Sequence, residues 1–294
     1  MTPGREPDML IRDRLAEGPT LSFEFFPPQG EFGFWDLRGT IGSLHPLSPD
    51  FVSVTCPAKR GAPTAELAAR IKQDLRIESM AHLTCAGGRV SIAAAIDDIH
   101  MRGIGNVLAL RGDGDGRETA FGHADELVRF IRQRHPGMCV AAACHPETHP
   151  EASGAEDDIR NLKKKVDAGV DFLITQLFFD NADFLRFRDR AAAAGIAVPI
   201  VAGIMPVLDA KQVVRFAGMC GARMPGDLLA RIESVGDDME AVRHIGMFHA
   251  TQQCLGLLRE GVAGLHFYTL NRSTATRAIF QYIRSDMTRS TTVS

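Results

Sequence analysis

Eight short, nearly continuous apolar runs, each followed by a polar or glycine-containing loop and an amphipathic stretch, set the limits on what this 294-residue chain can fold into. The runs are Leu21–Phe26, Phe51–Thr55, Met80–Thr84, Asn106–Leu110, Val140–Cys144, Phe172–Gln176, Pro199–Ala202 and Leu265–Tyr268. Apolar residues at successive positions, rather than at alternate ones, suit parallel strands covered on both faces. The intervening stretches carry helix ends. Asp180 or Asn181 caps a helix through Ala194 that stops at Gly195, and Asp209 caps the next. Eight such alternations predict an α/β fold, a single (β/α)8 TIM-type barrel. A doubly wound open sheet would carry G-x-G-x-x-G after its first strand. Here that position reads Phe26-Pro-Pro-Gln-Gly30, which cannot form the turn. The long gap between the seventh and eighth runs predicts extra helices over about 227–260. No repeat or low-complexity linker interrupts the pattern, so residues 1–294 are read as one domain with a core at about 21–282. Residues 1–18 and 284–294 are expected to be frayed.

Charge and cysteine usage exclude several function classes. Thirty-three Lys and Arg against 36 Asp and Glu leave a net charge of −3, without the basic stripe that nucleic-acid binding requires. The most apolar stretch, Ile196–Leu208, is broken by Pro199 and Pro206 and is too short to span a bilayer. The first residues lack the apolar core of a signal peptide, so the expected location is cytoplasmic. None of the six cysteines pairs as C-x-x-C, so they read as reduced thiols rather than zinc or redox ligands.

In a (β/α)8 barrel the chemistry sits where strand C-termini open into loops. Those positions carry Thr55, His82, Thr84, Arg111-Gly112-Asp113, His145 to His149, Gln176, Tyr268, Asn271 and Arg272. The convergence of polar groups there points to an active site. Glu24 is the sharpest case. Within Ser22-Phe-Glu-Phe-Phe26, alternation sends Phe23 and Phe25 outward and Glu24 inward. Desolvation would then raise its pKa and make it a general acid. The bland alternative is an ion pair with an inward Arg or Lys. Gly112 lets the backbone approach a ligand beside Asp113; the bland reading of Gly-Asp-Gly-Asp-Gly is a turn. His145, Glu147, His149 and Glu151 could be metal ligands, but prolines make this a loop, not the helix of H-E-x-x-H, and loop hydrogen bonding explains them as well. On the helix predicted over 155–168, Ala155, Ile159, Leu162 and Val166 form the buried stripe. Asp158, Asn161 and Lys165 run along its shoulder, with Lys164 opposite, and would suit a ribose and diphosphate or simply a solvated face. Gln212 and Phe216 are i, i+4 neighbours, where the aromatic is either core or a stacking platform.

These residues fall into motifs that resemble the bacterial type of methylenetetrahydrofolate reductase across about residues 21–282. The motifs are Ser22-Phe-Glu-Phe-Phe-Pro-Pro28, Phe51-Val-Ser-Val-Thr55, His82-Leu-Thr-Cys85, Leu110-Arg-Gly-Asp113, His149-Pro-Glu-Ala152, Asn161-Leu-Lys-Lys-Lys-Val-Asp-Ala-Gly169, Ile174-Thr-Gln-Leu-Phe-Phe-Asp180 and Phe267-Tyr-Thr-Leu-Asn-Arg272. The resemblance implies an FAD-dependent barrel that reduces 5,10-methylenetetrahydrofolate to 5-methyltetrahydrofolate with NADH or NADPH in ping-pong order. It also implies a role in one-carbon metabolism and methionine biosynthesis, and a homo-oligomer. By resemblance, Glu24 is the general acid and Asp113 the carboxylate between flavin and pterin. Gln176, Gln212, Phe216, Tyr268 and Arg272 are substrate contacts. Thr55, His82, Arg111, Gly112, Asp113, Ala124, His145, His149, Asp158, Asn161, Lys164 and Lys165 fall on FAD-binding positions, and no metal is implied. His145 stands where a flavin-contacting tyrosine is usual, Cys56-Pro57 where Tyr-Gly is usual, and Lys164 where an arginine is common, although Lys lacks the fork of Arg. Two other readings of the same residues are a metal-dependent barrel hydrolase or aldolase built on His82, His145, His149 and Asp113, and a flavin- or folate-binding protein without turnover.

Overall fold

The structure is a computed structural model that describes residues 9–27, 39–56, 64–112, 119–271 and 274–291. The apolar runs form eight parallel strands: β1 (Thr20–Phe25), β2 (Phe51–Val54), β3 (Ser79–Thr84), β4 (Asn106–Leu110), β5 (Cys139–Cys144), β6 (Phe172–Thr175), β7 (Ile200–Ile204) and β8 (Gly264–Tyr268). They close in chain order, with β1 pairing to both β2 and β8. Closure leaves no unpaired sheet edge, as the sequence pattern predicts. The strand ends shift by one or two residues. β1 stops at Phe25, and β7 starts after Pro199, which has no N–H to give to a ladder.

Helices α1 (Ile11–Glu17), α2 (Thr64–Leu75), α3 (Arg89–Met101), α4 (Ala124–Arg134), α5 (Ala155–Asp167), α6 (Asn181–Ala193), α7 (Ala210–Cys220), α8 (Gly226–Ser234), α9 (Met239–Arg259) and α10 (Thr274–Thr291) surround the barrel. The caps read from sequence are present. Asp180 accepts from Ala182 N–H at 2.9 Å and Asp209 from Gln212 N–H at 2.8 Å. Helices α8 and α9 are the extra ones expected before the last strand. On α5 only Leu162 of the expected stripe is fully buried; Ile159 and Val166 are half-covered.

Within the described residues, two expectations of fraying are corrected, at 11–17 and 284–291. Ile11–Glu17 is a helix docked across the barrel's N-terminal end. Its Ile11 and Leu15 pack with Phe51, Met80, Leu108 and Phe172 inside the cylinder, and Ile11 N–H donates to buried Asn106 Oδ1 at 2.9 Å. At the other terminus α10 continues past residue 284, where the Arg284 guanidinium caps the carbonyls of Leu47 and Ser48 at 2.9 Å. The aromatic outer face follows the alternation. Phe23 packs on Phe280 of α10 at 4.9 Å and on Phe267 at 6.1 Å.

The lower half of the cylinder is therefore filled mainly by hydrocarbon, with a few buried polar groups at its floor. Asn106 also donates to Glu78 Oε1 at 2.9 Å, so it holds both the plug helix and a buried acid. Replacing Asn106 with Ala strands the Ile11 N–H and takes one donor from Glu78, which keeps Lys72 and the Ser79 N–H; it should destabilise the fold by about 2 kcal/mol, measured as a lower midpoint in urea, and a change under about 0.5 kcal/mol would show that α1 is only loosely attached.

Candidate active site

The register that closes the barrel brings Glu24 opposite Tyr268 on one side and Ser53 on the other, with Ser22 opposite His266. The inward members of these rows make a polar layer above the hydrocarbon plug. Glu24 is 8% exposed. Its Oε2 accepts from Ser53 Oγ at 3.4 Å and lies 3.4 Å from His82 Nε2 and 3.6 Å from His266 Nε2. The inward placement agrees with the sequence; the partners do not. In place of the inward Arg or Lys of the alternative reading, the neighbours are a pair of imidazoles.

That difference reverses the electrostatics. Burial pushes the Glu24 pKa up, but the approach of His266, the charge that His82 and His266 can carry, and the Ser53 hydroxyl bring it below the ordinary carboxylate range. The expectation of a carboxyl kept neutral by desolvation is thus overturned, because polar neighbours replace the water that burial removes. For His82 the balance runs the other way. Burial outweighs the attraction of Glu24 and lowers its pKa to about 4, so it is neutral near pH 7. The Tyr268 phenol is raised well above its usual range by burial and by the Glu24 charge. It donates to Thr175 O at 2.6 Å and lies across Gly203, where a Cβ would meet the ring at 2.6 Å.

A cavity of about 360 Å³ opens between the ends of β4 and β5 and helices α4 and α5. It gathers Arg111, Ala124, His145 and His149 with Asp158, Asn161, Lys164 and Lys165. The N-terminus of α4 faces it, as an anion site would require. Lys164 is exposed, with Nζ 3.4 Å from Asn161 Oδ1. Lys165 is drawn inward, donates to Ala143 O at 2.6 Å and has its pKa lowered by burial. Arg111 is held by Glu151. His145 meets the edge of His149 at 4.6 Å, and burial lowers its pKa to about 3. The His149 loop is built from local bonds: Asp158 Oδ2 accepts His149 N–H at 3.0 Å and His149 Nδ1 accepts Glu151 N–H at 3.1 Å. Glu147 turns away to accept Arg223 N–H at 2.7 Å. Among the described residues no three His, Cys, Asp or Glu side chains converge in an arrangement that could hold a metal.

Comparison with known proteins gives these groups a context. A sequence profile described as Methylenetetrahydrofolate reductase matches residues 10–284. The chain is 40% identical over 265 residues to 5,10-methylenetetrahydrofolate reductase of Escherichia coli (strain K12), covering 88% of each. The chain belongs to the methylenetetrahydrofolate reductase family. It is also 39% identical over 284 residues to methylenetetrahydrofolate reductase (NADH) 1 of Arabidopsis thaliana, of which the match covers 48%, so the chain spans about half the length of that relative. Among solved structures, a Clostridium thermocellum protein that binds two copies of 5-methyl-5,6,7,8-tetrahydrofolic acid superposes with a TM-score of 0.69 at 13% identity, covering 94% of this chain and 99% of that one. An oxaloacetate acetylhydrolase superposes at 0.54 with 12% identity over 97% and 86%. At such identities these two show the barrel and nothing of its chemistry.

In this reductase-family barrel the remaining motif residues divide by place. Gln212, Phe216 and Tyr268 line a narrow cleft with Met205 and Leu270; Phe216 is half-buried, so it is neither pure core nor a free ring. Gln176 closes β6 with its Oε1 accepting Leu177 N–H at 2.9 Å. Among the described residues, buried Thr55 Oγ1 has no hydrogen-bond partner and buried His82 Nε2 has only its 3.4 Å approach to Glu24 Oε2. Gly112 has φ +85°, and a Cβ there would press on Thr84 at 3.2 Å. Asp113 and Arg272 lie outside the described residues. Sequence reasoning passes over His266 and Ser53; the available signal was the parity of His266 with Tyr268 and of Ser53 with Thr55, both inward.

His82 makes the layer sensitive to pH. Its folded pKa lies near 4 against an ordinary 6.5, so between these values the unfolded chain binds a proton that the folded chain refuses. Stability should therefore fall as pH drops from 6.5 toward 4. His82→Gln should flatten that fall by up to about 1.4 kcal/mol per pH unit in denaturant titrations, leaving the contribution of His145; an unchanged slope would show that His82 is not held neutral.

Proposed function

We propose that this protein reduces 5,10-methylenetetrahydrofolate to 5-methyltetrahydrofolate, with NADH or NADPH as donor and FAD as resident cofactor, in the cytoplasm. The observation that carries this reading is the 40% identity, across 88% of both chains, to a relative named for that reaction. The site geometry supports it independently. A carboxyl is buried inside the barrel, and a cavity at the ends of β4 and β5 has a size and polar lining that fit part of a dinucleotide cofactor.

The residues present fit FAD on two counts. Thr55 Oγ1 is a buried polar atom with no hydrogen-bond partner among the described residues and His82 Nε2 has only the Glu24 carboxylate at 3.4 Å, and the cavity combines a helix N-terminus with Arg111, Lys164 and Asn161, the donors a diphosphate and ribose require. FAD, when bound, supplies the two-electron carrier that takes hydride from the nicotinamide and gives it to the folate, in ping-pong order. Lys164, Asn161 and the start of α4 would hold the diphosphate end. Arg111, Ala124, Asp158, Lys165, His149 and the neutral His145 would shape the rest of the cavity, with Gly112, Thr55 and His82 next to the ring. Gln176, Gln212, Phe216 and Tyr268, with Arg272, would hold the folate, and Asp113 would stand between flavin and pterin. Glu24 would protonate the imidazolidine ring nitrogen whose departure opens the ring to the iminium that accepts hydride.

Glu24→Gln separates the two halves of this reaction. Stopped-flow mixing with NADH should still bleach the flavin, while reoxidation by methylenetetrahydrofolate should slow by about 10³-fold, within the range of a lost general acid. Equal slowing of both steps would make Glu24 a structural residue.

A further inference from the structure

His266 is an imidazole with no part in the mechanism above, yet it lies fully enclosed in the polar layer, at 0% exposure. Its ring lies flat on Phe51, with centroids 5.8 Å apart and planes at 15°, and meets Tyr268 edge-on at 5.7 Å. Ser22 Oγ is 3.3 Å from Leu265 O and 2.8 Å from His266 Nδ1. A hydroxyl has one hydrogen to give. If Ser22 spends it on the Leu265 carbonyl, which can only accept, its oxygen receives Nδ1–H. Nε2 faces Ser53 Oγ at 3.1 Å and Glu24 Oε2 at 3.6 Å, and because Ser53 spends its own hydrogen on Glu24, Nε2 can bond to it only as a second N–H donor, in the ring form that carries both hydrogens. Ser53 in turn donates to Glu24. The three groups form a directed chain from imidazole to hydroxyl to carboxyl.

We propose that His266 is a positioning residue that stores a proton and reloads Glu24 with it through Ser53. The inference rests on the reductase reading above and deepens it. In the transfer the His266 Nε2–H bond breaks as Ser53 Oγ takes that proton, and the Ser53 O–H proton passes to Glu24 Oε2. A neutral imidazole, an intact hydroxyl and a carboxylic acid result, with no change of oxidation state. The reverse passage recharges the ring by way of Glu24, the more exposed of the two. A store is needed because Glu24, held below the ordinary carboxylate range, carries no proton of its own near neutral pH. The other titratable groups facing it are His82 from β3, neutral near pH 7, and the Tyr268 phenol from β8, which stays protonated.

Two variants of the holoenzyme test this. His266→Gln removes the ionisable ring, and Ser53→Ala deletes one oxygen and interrupts the chain with little disturbance of packing. In stopped flow, methylenetetrahydrofolate-driven reoxidation should fall at least about 30-fold more than NADH-driven reduction in His266→Gln and about 10-fold more in Ser53→Ala, with the pH midpoint of the folate step displaced by about one unit. On the flavin-free protein, NMR of isotope-labelled histidine nitrogens should show the His266 titration moving when Glu24→Gln is introduced. Equal loss in both half-reactions, or a His266 titration indifferent to Glu24→Gln, overturns the relay. A wild-type protein that fails to reduce methylenetetrahydrofolate would overturn the reductase reading instead, and the NMR result would still decide the proton sharing.

Discussion

Closure of β8 against β1 is the constraint on which the rest of this structure depends. Pairing Ser22 with His266 and Glu24 with Tyr268 does more than satisfy the two edges of a sheet. It places the acid from the first strand against an imidazole from the last, more than two hundred residues later in the chain. Below that row the interior is mainly hydrocarbon, stoppered by α1. Above it are the loops that carry the cavity. The carboxyl sits where water is scarce but hydrogen-bonding groups are not.

The energetics of that row follow from the same arrangement. An isolated carboxylate in such a position would be expelled or protonated. Two imidazoles and a serine hydroxyl let it stay ionised, while burial holds His82 neutral despite the attraction of Glu24. A layer whose members bias one another's protonation can pass a proton without large movement. Hydride transfer to a methylene-bridged folate needs such a supply, because ring opening leaves a nitrogen that must be protonated.

Much of this was legible in the chain, and the limits have physical causes. The eight strands could be read because strands covered on both faces must be apolar at successive positions, and Asp180 and Asp209 could be read as caps because their side chains bond locally. Glu24 stood out because alternation alone decides its direction. The seven-residue α1 could not be read: it has no side-chain cap at Leu10 and is held by Asn106 and the barrel floor, contacts distant in sequence. His266 and Ser53 were missed for a related reason. Which residues face Glu24 depends on the stagger with which the barrel closes, and no local pattern encodes that stagger. The sign of the Glu24 shift was misread as a consequence, since burial was visible and its compensating partners were not.

The claim that this barrel end is built to deliver a proton and a hydride together to a folate is tested most directly by a single turnover of the purified wild-type protein. Reduced anaerobically with one equivalent of NADH or NADPH and then mixed with 5,10-methylenetetrahydrofolate, the protein should recover its oxidised flavin spectrum and release one 5-methyltetrahydrofolate per flavin. A protein that carries no flavin, or one whose reduced flavin persists in the presence of the folate, would contradict the account.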